Sequence, residues 1–238
     1  MKTALITGAN RGLGLEWVQQ LAAREWVVYA SCRQLAEADR LNAVAVQFPD
    51  RVRVIQLDLS NESEIAEVGL QFASEPLDLL INNAGYFGTG TASDASAKLE
   101  QDFENINSDD WHKYFQINCI APMVLSRNLL GALSRAAGVI LATSSRLSSI
   151  TQNDGGLHAY RSSKTALNAA MASLAIDTKP LGIDVFIVSP GWVKTEMGGS
   201  RAPVKVTESV QGMIAIVENR AKYQSGSFID YQGNLLPW

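Results

Sequence analysis

The chain has 238 residues, 47% hydrophobic and 18% charged, a composition that can bury a sizeable core and excludes a disordered chain. Its net charge of −4 gives no basis for binding nucleic acid or an anionic membrane surface, and no apolar run approaches the roughly 20 residues needed to cross a bilayer. Two cysteines, Cys32 and Cys119, are too few for a disulfide framework, and no CxxC or His/Cys cluster points to a metal. A strand-like run starting at Lys2 leaves no room for a leader, so the expected compartment is the cytoplasm, with both thiols reduced.

The predicted elements alternate along the chain. "KTALIT" (2–7) reads as a buried strand, and "GLGLEWVQQLAARE" (12–25) as a helix with Leu13, Trp17, Val18 and Leu21 at helical spacing. "WVVYAS" (26–31) is a second strand, followed by a helical stretch that Pro49 ends. "RVRVIQLDL" (51–59) is a third strand, and Ser60 is the expected cap of a helix running to Ala73. "LDLLIN" (77–82) is a fourth strand. A long polar segment comes next, read as an excursion beside the pocket (86–107), and then one long helix from Ser108 to Arg135. "GVILATSS" (138–145) and "GIDVFIVSP" (182–190) are strands flanking a helix that carries Tyr160, and a helix from Thr207 to Asn219 precedes a last strand, "GSFIDY" (226–231). Strands alternating with helices imply parallel pairing, right-handed crossovers and a sheet covered on both faces. No linker or repeat divides the chain, so residues 1–238 are expected to form one domain.

Three stretches carry chemistry. "TGANRGLG" places Gly8, Gly12 and Gly14 between the first strand and the first helix, where glycines let a pyrophosphate approach free N–H groups at a helix start. At the end of the second strand an acidic residue would accept bonds from a ribose 2′-hydroxyl. Here "SCR" puts Cys32 and Arg33 at that point, and Arg11 lies within the glycine loop. Either the two arginines are solvated surface residues, or they converge on a 2′-phosphate, which favours NADP(H) over NAD(H). In "YRSSK", Tyr160 and Lys164 stand four residues apart and share one helical face. An ammonium near a phenol would lower its pKa from about 10 and make it a tuned general acid/base.

With "NNAG" (82–85) after the fourth strand, "SS" (144–145) after the fifth and "PGWVKT" (190–195) after the sixth, these motifs stand in an order that resembles the classical short-chain dehydrogenases/reductases. Within that family, "NRGLGLE", "DGGLHAYRSSK" and "PGWVKTEMGG" are similar to the C-factor and sniffer group of carbonyl reductases. The resemblance implies a doubly wound Rossmann-type α/β domain whose seven-stranded parallel sheet runs 3-2-1-4-5-6-7, with ligand at the carboxyl ends of the strands. It implies a catalytic tetrad of Asn118, Ser145, Tyr160 and Lys164, with Ser144 as the alternative serine. Tyr160 is the general acid/base, Lys164 holds the ribose and depresses the phenol, and Asn118 holds a water in a proton relay. The cofactor contacts it implies are Gly8, Asn10, Arg11, Gly12, Leu13, Gly14, Arg33, Asp58, Leu59, Asn83, Ala84, Gly85, Pro190, Gly191, Val193 and Thr195, besides Tyr160 and Lys164.

Simpler roles stand beside these. Asp58 could cap the next turn, Asn118 could be an ordinary helix residue, and Trp17, Trp111 and Phe115 read as core. His158 reads as a residue of the helix start or pocket edge. Trp26 and Arg161 depart from the family pattern, neither at the tetrad. The expected substrate pocket is Ser145 to Gly155, Trp192 and the loop after it. The function implied is an NADPH-dependent carbonyl reductase acting on a ketone, aldehyde or alcohol, as a homodimer or homotetramer built on the helices near 111–135 and 156–178. The alternative is a non-catalytic NADP(H)-binding signalling or sensor protein on the same fold. A serine hydrolase ranks last, because no GxSxG elbow or placed histidine supports it.

Overall fold

A computed structural model of the chain describes residues 1–88, 91, 103–105 and 107–238. In chain order the main elements are β1 (Thr3–Ile6), α1 (Gly12–Ala23), β2 (Val27–Cys32), α2 (Asp39–Gln47), β3 (Val52–Gln56), α3 (Glu62–Gln71) and β4 (Leu79–Asn82). Then come α4 (Ser108–Phe115), a π-helical turn (Gln116–Ile120), α5 (Ala121–Asn128), α6 (Leu130–Ala136), β5 (Val139–Thr143), α7 (His158–Thr178), β6 (Asp184–Ser189), α8 (Val206–Glu218) and β7 (Phe228–Asp230). The strands form one parallel sheet in the order β3-β2-β1-β4-β5-β6-β7, as the family resemblance implies.

Alternation along the strands divides the core in two. Ala4, Ile6, Leu79, Ile81, Val139 and Leu141 face a cluster with Trp17 and Leu21 of α1, Leu41 of α2 and Met213 of α8. Leu5, Leu80 and Ile140 face the other side, with Ile65 of α3, Leu125 of α5, Leu133 of α6 and Met171 of α7. Strands covered on both faces need apolar residues at every position, which is why they read as continuous apolar runs. Each fully buried Leu or Ile contributes about 1.5–3 kcal/mol relative to exposure.

Two predicted boundaries change. The cap of α3 is Asn61, whose side chain accepts from Ser63 N at 3.0 Å, while Ser60 turns back to Asp58. Residues 108–135 form no single helix: the chain passes through the π-helical turn and is interrupted again at Leu129. The expected pocket-side excursion at 86–107 lies largely outside the described residues.

All the β-to-α crossings open at the carboxyl ends of the strands, and the loop after β1 is fixed most tightly. Gly8 sits at φ +64, a conformation that disfavours any side chain, and a Cβ on it would stand 3.0 Å from Ala84 Cα. A Cβ on Gly14 would lie 2.1 Å from Gly8 O and 2.7 Å from Asn83 Nδ2. Asn83 itself straps this loop down, with Nδ2 donating to Thr7 O at 2.8 Å, while Thr7 Oγ1 accepts from Asn83 N and Ala84 N. Gly14→Ala is therefore expected to overpack this junction and lower stability by about 1–3 kcal/mol. Urea denaturation of wild type and variant measures it.

Candidate active site

The carboxyl ends of the strands border one long cleft of about 1570 Å³. At one end it is floored by Gly8, Asn10, Gly12 and Leu13. The start of α1 there has no side-chain cap, so its N–H groups are left for an anion. Arg33, Asp58 and Leu59 line the next part, and Ala84, Gly85, Pro190, Gly191, Val193 and Thr195 the middle. Arg33 forms no ion pair among the described residues. Arg11 does not turn to Arg33 but bridges the cleft mouth, Nη1 lying 2.6 Å from Glu196 Oε2 with both side chains largely exposed. Asp58 does both things considered for it: it lines the cleft, and its Oδ1 accepts from Ser60 N and Oγ.

Three of the four tetrad residues, Ser145, Tyr160 and Lys164, border the far end of the cleft. Tyr160 and Lys164 lie on the first turns of α7, 9% and 4% exposed, and both border the cleft. Ser145, just past β5, borders the cleft beside Tyr160, and its Oγ accepts from Leu147 N at 3.2 Å. Ser144 is 2% exposed and its hydroxyl is engaged by Asn168, so of the two serines it is Ser145 that stands beside Tyr160 and acts on its phenol. Lys164 Nζ donates to Thr143 O at 2.7 Å. Phe87, which the sequence does not single out, packs edge-on against the Tyr160 ring at 4.9 Å. It stands two residues past a motif glycine, and no pattern marks it.

Several residues are placed differently from expectation. Gly14 packs behind the glycine loop and does not line the cleft. Asn118 is fully buried in the π-helical turn. Its Oδ1 accepts from Tyr86 N at 2.7 Å, and its Nδ2 donates to Tyr86 O and Ser163 Oγ. It thus fixes the backbone just past Gly85, and a side chain at position 85 would fall 3.6 Å from Asn118 Oδ1 and 3.7 Å from Lys164 Nζ. Phe115 lines the cleft, whereas Trp17 is core as expected and Trp111 is half-buried, its Nε1 donating to Ser162 Oγ. His158 opens α7 beside Phe103 and does not border the cleft. Arg161 is buried, bonded to Asp154 and to Leu147 O, and borders the cleft on the substrate side. Of the expected substrate pocket, Ser145, Arg146, Leu147, Asp154, Gly155, Trp192 and Met197 line the cleft, and residues 148–153 do not.

The electrostatics correct one expectation. Burial pushes the Tyr160 phenol up to about 12, and the neighbouring Ser145 hydroxyl only partly opposes this. Burial also lowers the Lys164 ammonium to about 8, against a smaller opposing influence of Cys119. Desolvation, not the neighbouring cation, decides the sign at the phenol.

Glycine loop, helix start and Tyr/Lys pair, on a sheet of this order, define a dinucleotide-binding oxidoreductase of the doubly wound class. The family model of short chain dehydrogenases matches residues 2–205, and the chain belongs to that family. It is 38% identical over 169 residues to "C-signal" of Myxococcus xanthus, covering 68% of this chain and 93% of that one. The carbonyl reductase Sniffer of D. melanogaster superposes with a TM-score of 0.89 at 32% identity over the whole of both chains. The NADPH-bound carbonyl reductase from chicken fatty liver does so at 0.88 and 32% identity, over 100% of this chain and 99% of that one.

The lowered lysine has a consequence for stability. Unfolded, Lys164 keeps its proton to about 10.5, whereas folded it releases it near 8. The unfolded state thus binds more protons between these values, so this residue's contribution to stability rises with pH there, and at pH 7 the buried ammonium is a net cost. Lys164→Met, which keeps an apolar stem, is expected to raise the stability of the ligand-free protein at pH 7 by about 1–3 kcal/mol. Chemical denaturation at that pH tests it.

Proposed function

We propose that the protein is an NADPH-dependent carbonyl reductase, with Tyr160 as proton donor, Ser145 as its partner on the substrate oxygen, and Lys164 as the cation beside them. The observation that carries the reading is the placing of Ser145, Tyr160 and Lys164 together on the wall of a cleft whose other end is an uncapped helix start. The residues fit a dinucleotide: side chains are excluded at Gly8, and Gly85 leaves a gap bounded by Asn118 and Lys164. Cys32 in place of an acid, with Arg33 unpaired among the described residues at the same strand end, favours the 2′-phosphate form. The NADPH bound in the chicken carbonyl reductase structure supports the same choice.

Bound nicotinamide supplies the hydride. As a substrate carbonyl is reduced, charge develops on its oxygen, and the two hydroxyls of Ser145 and Tyr160 donate to it. Tyr160 then gives up its proton. A phenol held up to about 12 is protonated throughout the neutral range, which suits it to the reducing direction. Lys164, one turn further along the same face of α7, offsets the phenolate charge left behind while it remains an ammonium. Phe87, Leu147, Leu157 and Trp192 give the substrate end apolar walls. A non-catalytic sensor would have no use for the Ser145–Tyr160 pair. The expected homo-oligomer belongs to the same proposal. Among the described residues, the exposed large apolar side chains on the two stretches considered for it are Ile120 and Ile176.

Turnover of a panel of ketones and aldehydes with NADPH is the primary test, and its complete absence would favour the sensor. Tyr160→Phe should cut kcat by roughly 10²–10⁴-fold while NADPH still binds, as monitored by its fluorescence. Wild-type reduction should be level with pH up to about 8 and fall above it as Lys164 loses its proton. For the cofactor, NADPH should be preferred to NADH. Arg33→Ala should weaken NADPH binding by about 1.5–3 kcal/mol and leave NADH almost unaffected, because only the former carries the phosphate. Equal wild-type efficiency with NADH would reject the assignment.

A further inference from the structure

We infer that Asn168 is a positioning residue for Ser145, acting through Ser148, an inference that rests on the carbonyl reductase reading above. Asn168 is 2% exposed and lies one turn beyond Lys164, so Tyr160, Lys164 and Asn168 form one polar stripe along α7 at i, i+4 and i+8. The stripe meets three consecutive residues at the end of β5. Lys164 bonds Thr143 O, Asn168 bonds the Ser144 side chain, and Tyr160 stands beside Ser145.

Asn168 is the centre of a closed set of buried bonds. Its Oδ1 accepts from Ser144 Oγ at 2.5 Å and its Nδ2 donates to Ser148 Oγ at 2.7 Å, the two serine oxygens lying 3.2 Å apart. Ser148 Oγ in turn donates to Ser145 O at 2.6 Å, and Thr165 Oγ1 donates to Ser148 O at 2.8 Å. A serine hydroxyl has one hydrogen. Ser148 gives its own to Ser145 O, so it must accept from a donor, while Ser144 needs an acceptor. A carboxamide offers one of each on adjacent atoms. An aliphatic side chain would remove both the donor to Ser148 and the short acceptor of Ser144, leaving the longer 3.2 Å contact between the two serines in their place. The chain of donors ends on the peptide carbonyl of Ser145, so it fixes the turn from which Ser145 Oγ faces Tyr160.

The test is a double-mutant cycle on the full chain, using NADPH and a ketone or aldehyde that the wild type reduces, with rates normalised to NADPH-binding sites. Asn168→Ala should lower kcat by roughly 10- to 100-fold, the scale of a misplaced reacting group, with KM for NADPH unchanged. Ser148→Ala should lower kcat in the same way, and it carries the test if Asn168→Ala is insoluble. In a Ser145→Ala background neither substitution should cost anything further. An equal kcat loss in both backgrounds, or full activity in Ser148→Ala, would overturn the inference while leaving the reductase reading intact. Wild-type activity in Ser145→Ala alone would overturn the inference together with the role given to Ser145, whereas absence of carbonyl turnover by the wild type would overturn the reductase reading.

Discussion

The site depends on a helix face that is polar where it should be apolar. α7 packs against the sheet, yet at three successive turns it presents Tyr160, Lys164 and Asn168 in place of aliphatic residues. Burying an ammonium and a phenol is unfavourable, and the shifts of Lys164 downward and Tyr160 upward record that cost. What holds the stripe in place is the packing around it, with Leu167 and Met171 of the same helix in the core beneath the sheet. The fold stabilises a locally unfavourable arrangement, as functional sites commonly require.

The glycine loop and the α7 stripe stand on opposite sides of the cleft, and the segment after β4 joins them. Asn83 holds the loop from beneath, and two residues later the backbone reaches Asn118 and the neighbourhood of Lys164. The relative placement of the two ends is thus set through bonds within 82–86, a span too short to absorb much change. This accounts for a motif of small and amide residues where the strand pattern alone would have allowed anything polar.

Much of this is readable from the chain. Strand positions and the Tyr160–Lys164 face come from periodicity and spacing, because apolar runs and i+4 spacing are local properties, and the sheet order is what the family resemblance implies. The features that escape a reading of the sequence depend on distance. Arg11 pairs with Glu196, 185 positions away, and no pattern in either segment announces it. Gly14 looks like a cofactor contact by spacing, but it does not line the cleft, and a side chain there would run into the carbonyl of Gly8, a matter of how the loop folds back. The direction of the Tyr160 shift is opposite to expectation because a sequence displays the nearby lysine and hides the burial. Asn118 is found by resemblance, but its bonds to Tyr86 depend on a helical irregularity that "QINCI" does not advertise.

That irregularity has a consequence for how the chain can change. A π-helical turn is an α-helix carrying one residue more than its pitch allows. Each residue advances the helix by about 100°, so the surplus residue sets the phase between the helical segments on its two sides. Upstream, Tyr114 is buried beside Tyr86 and Phe87; downstream, Leu125 is buried against the sheet. The turn between them is what lets both faces point inward while Asn118 points at Tyr86. Substitutions within Gln116–Ile120 leave that phase intact, but the loss of a single residue would rotate one half against the other. In this segment length is constrained more strictly than composition, so deletions there should be far rarer among functional descendants of this chain than replacements.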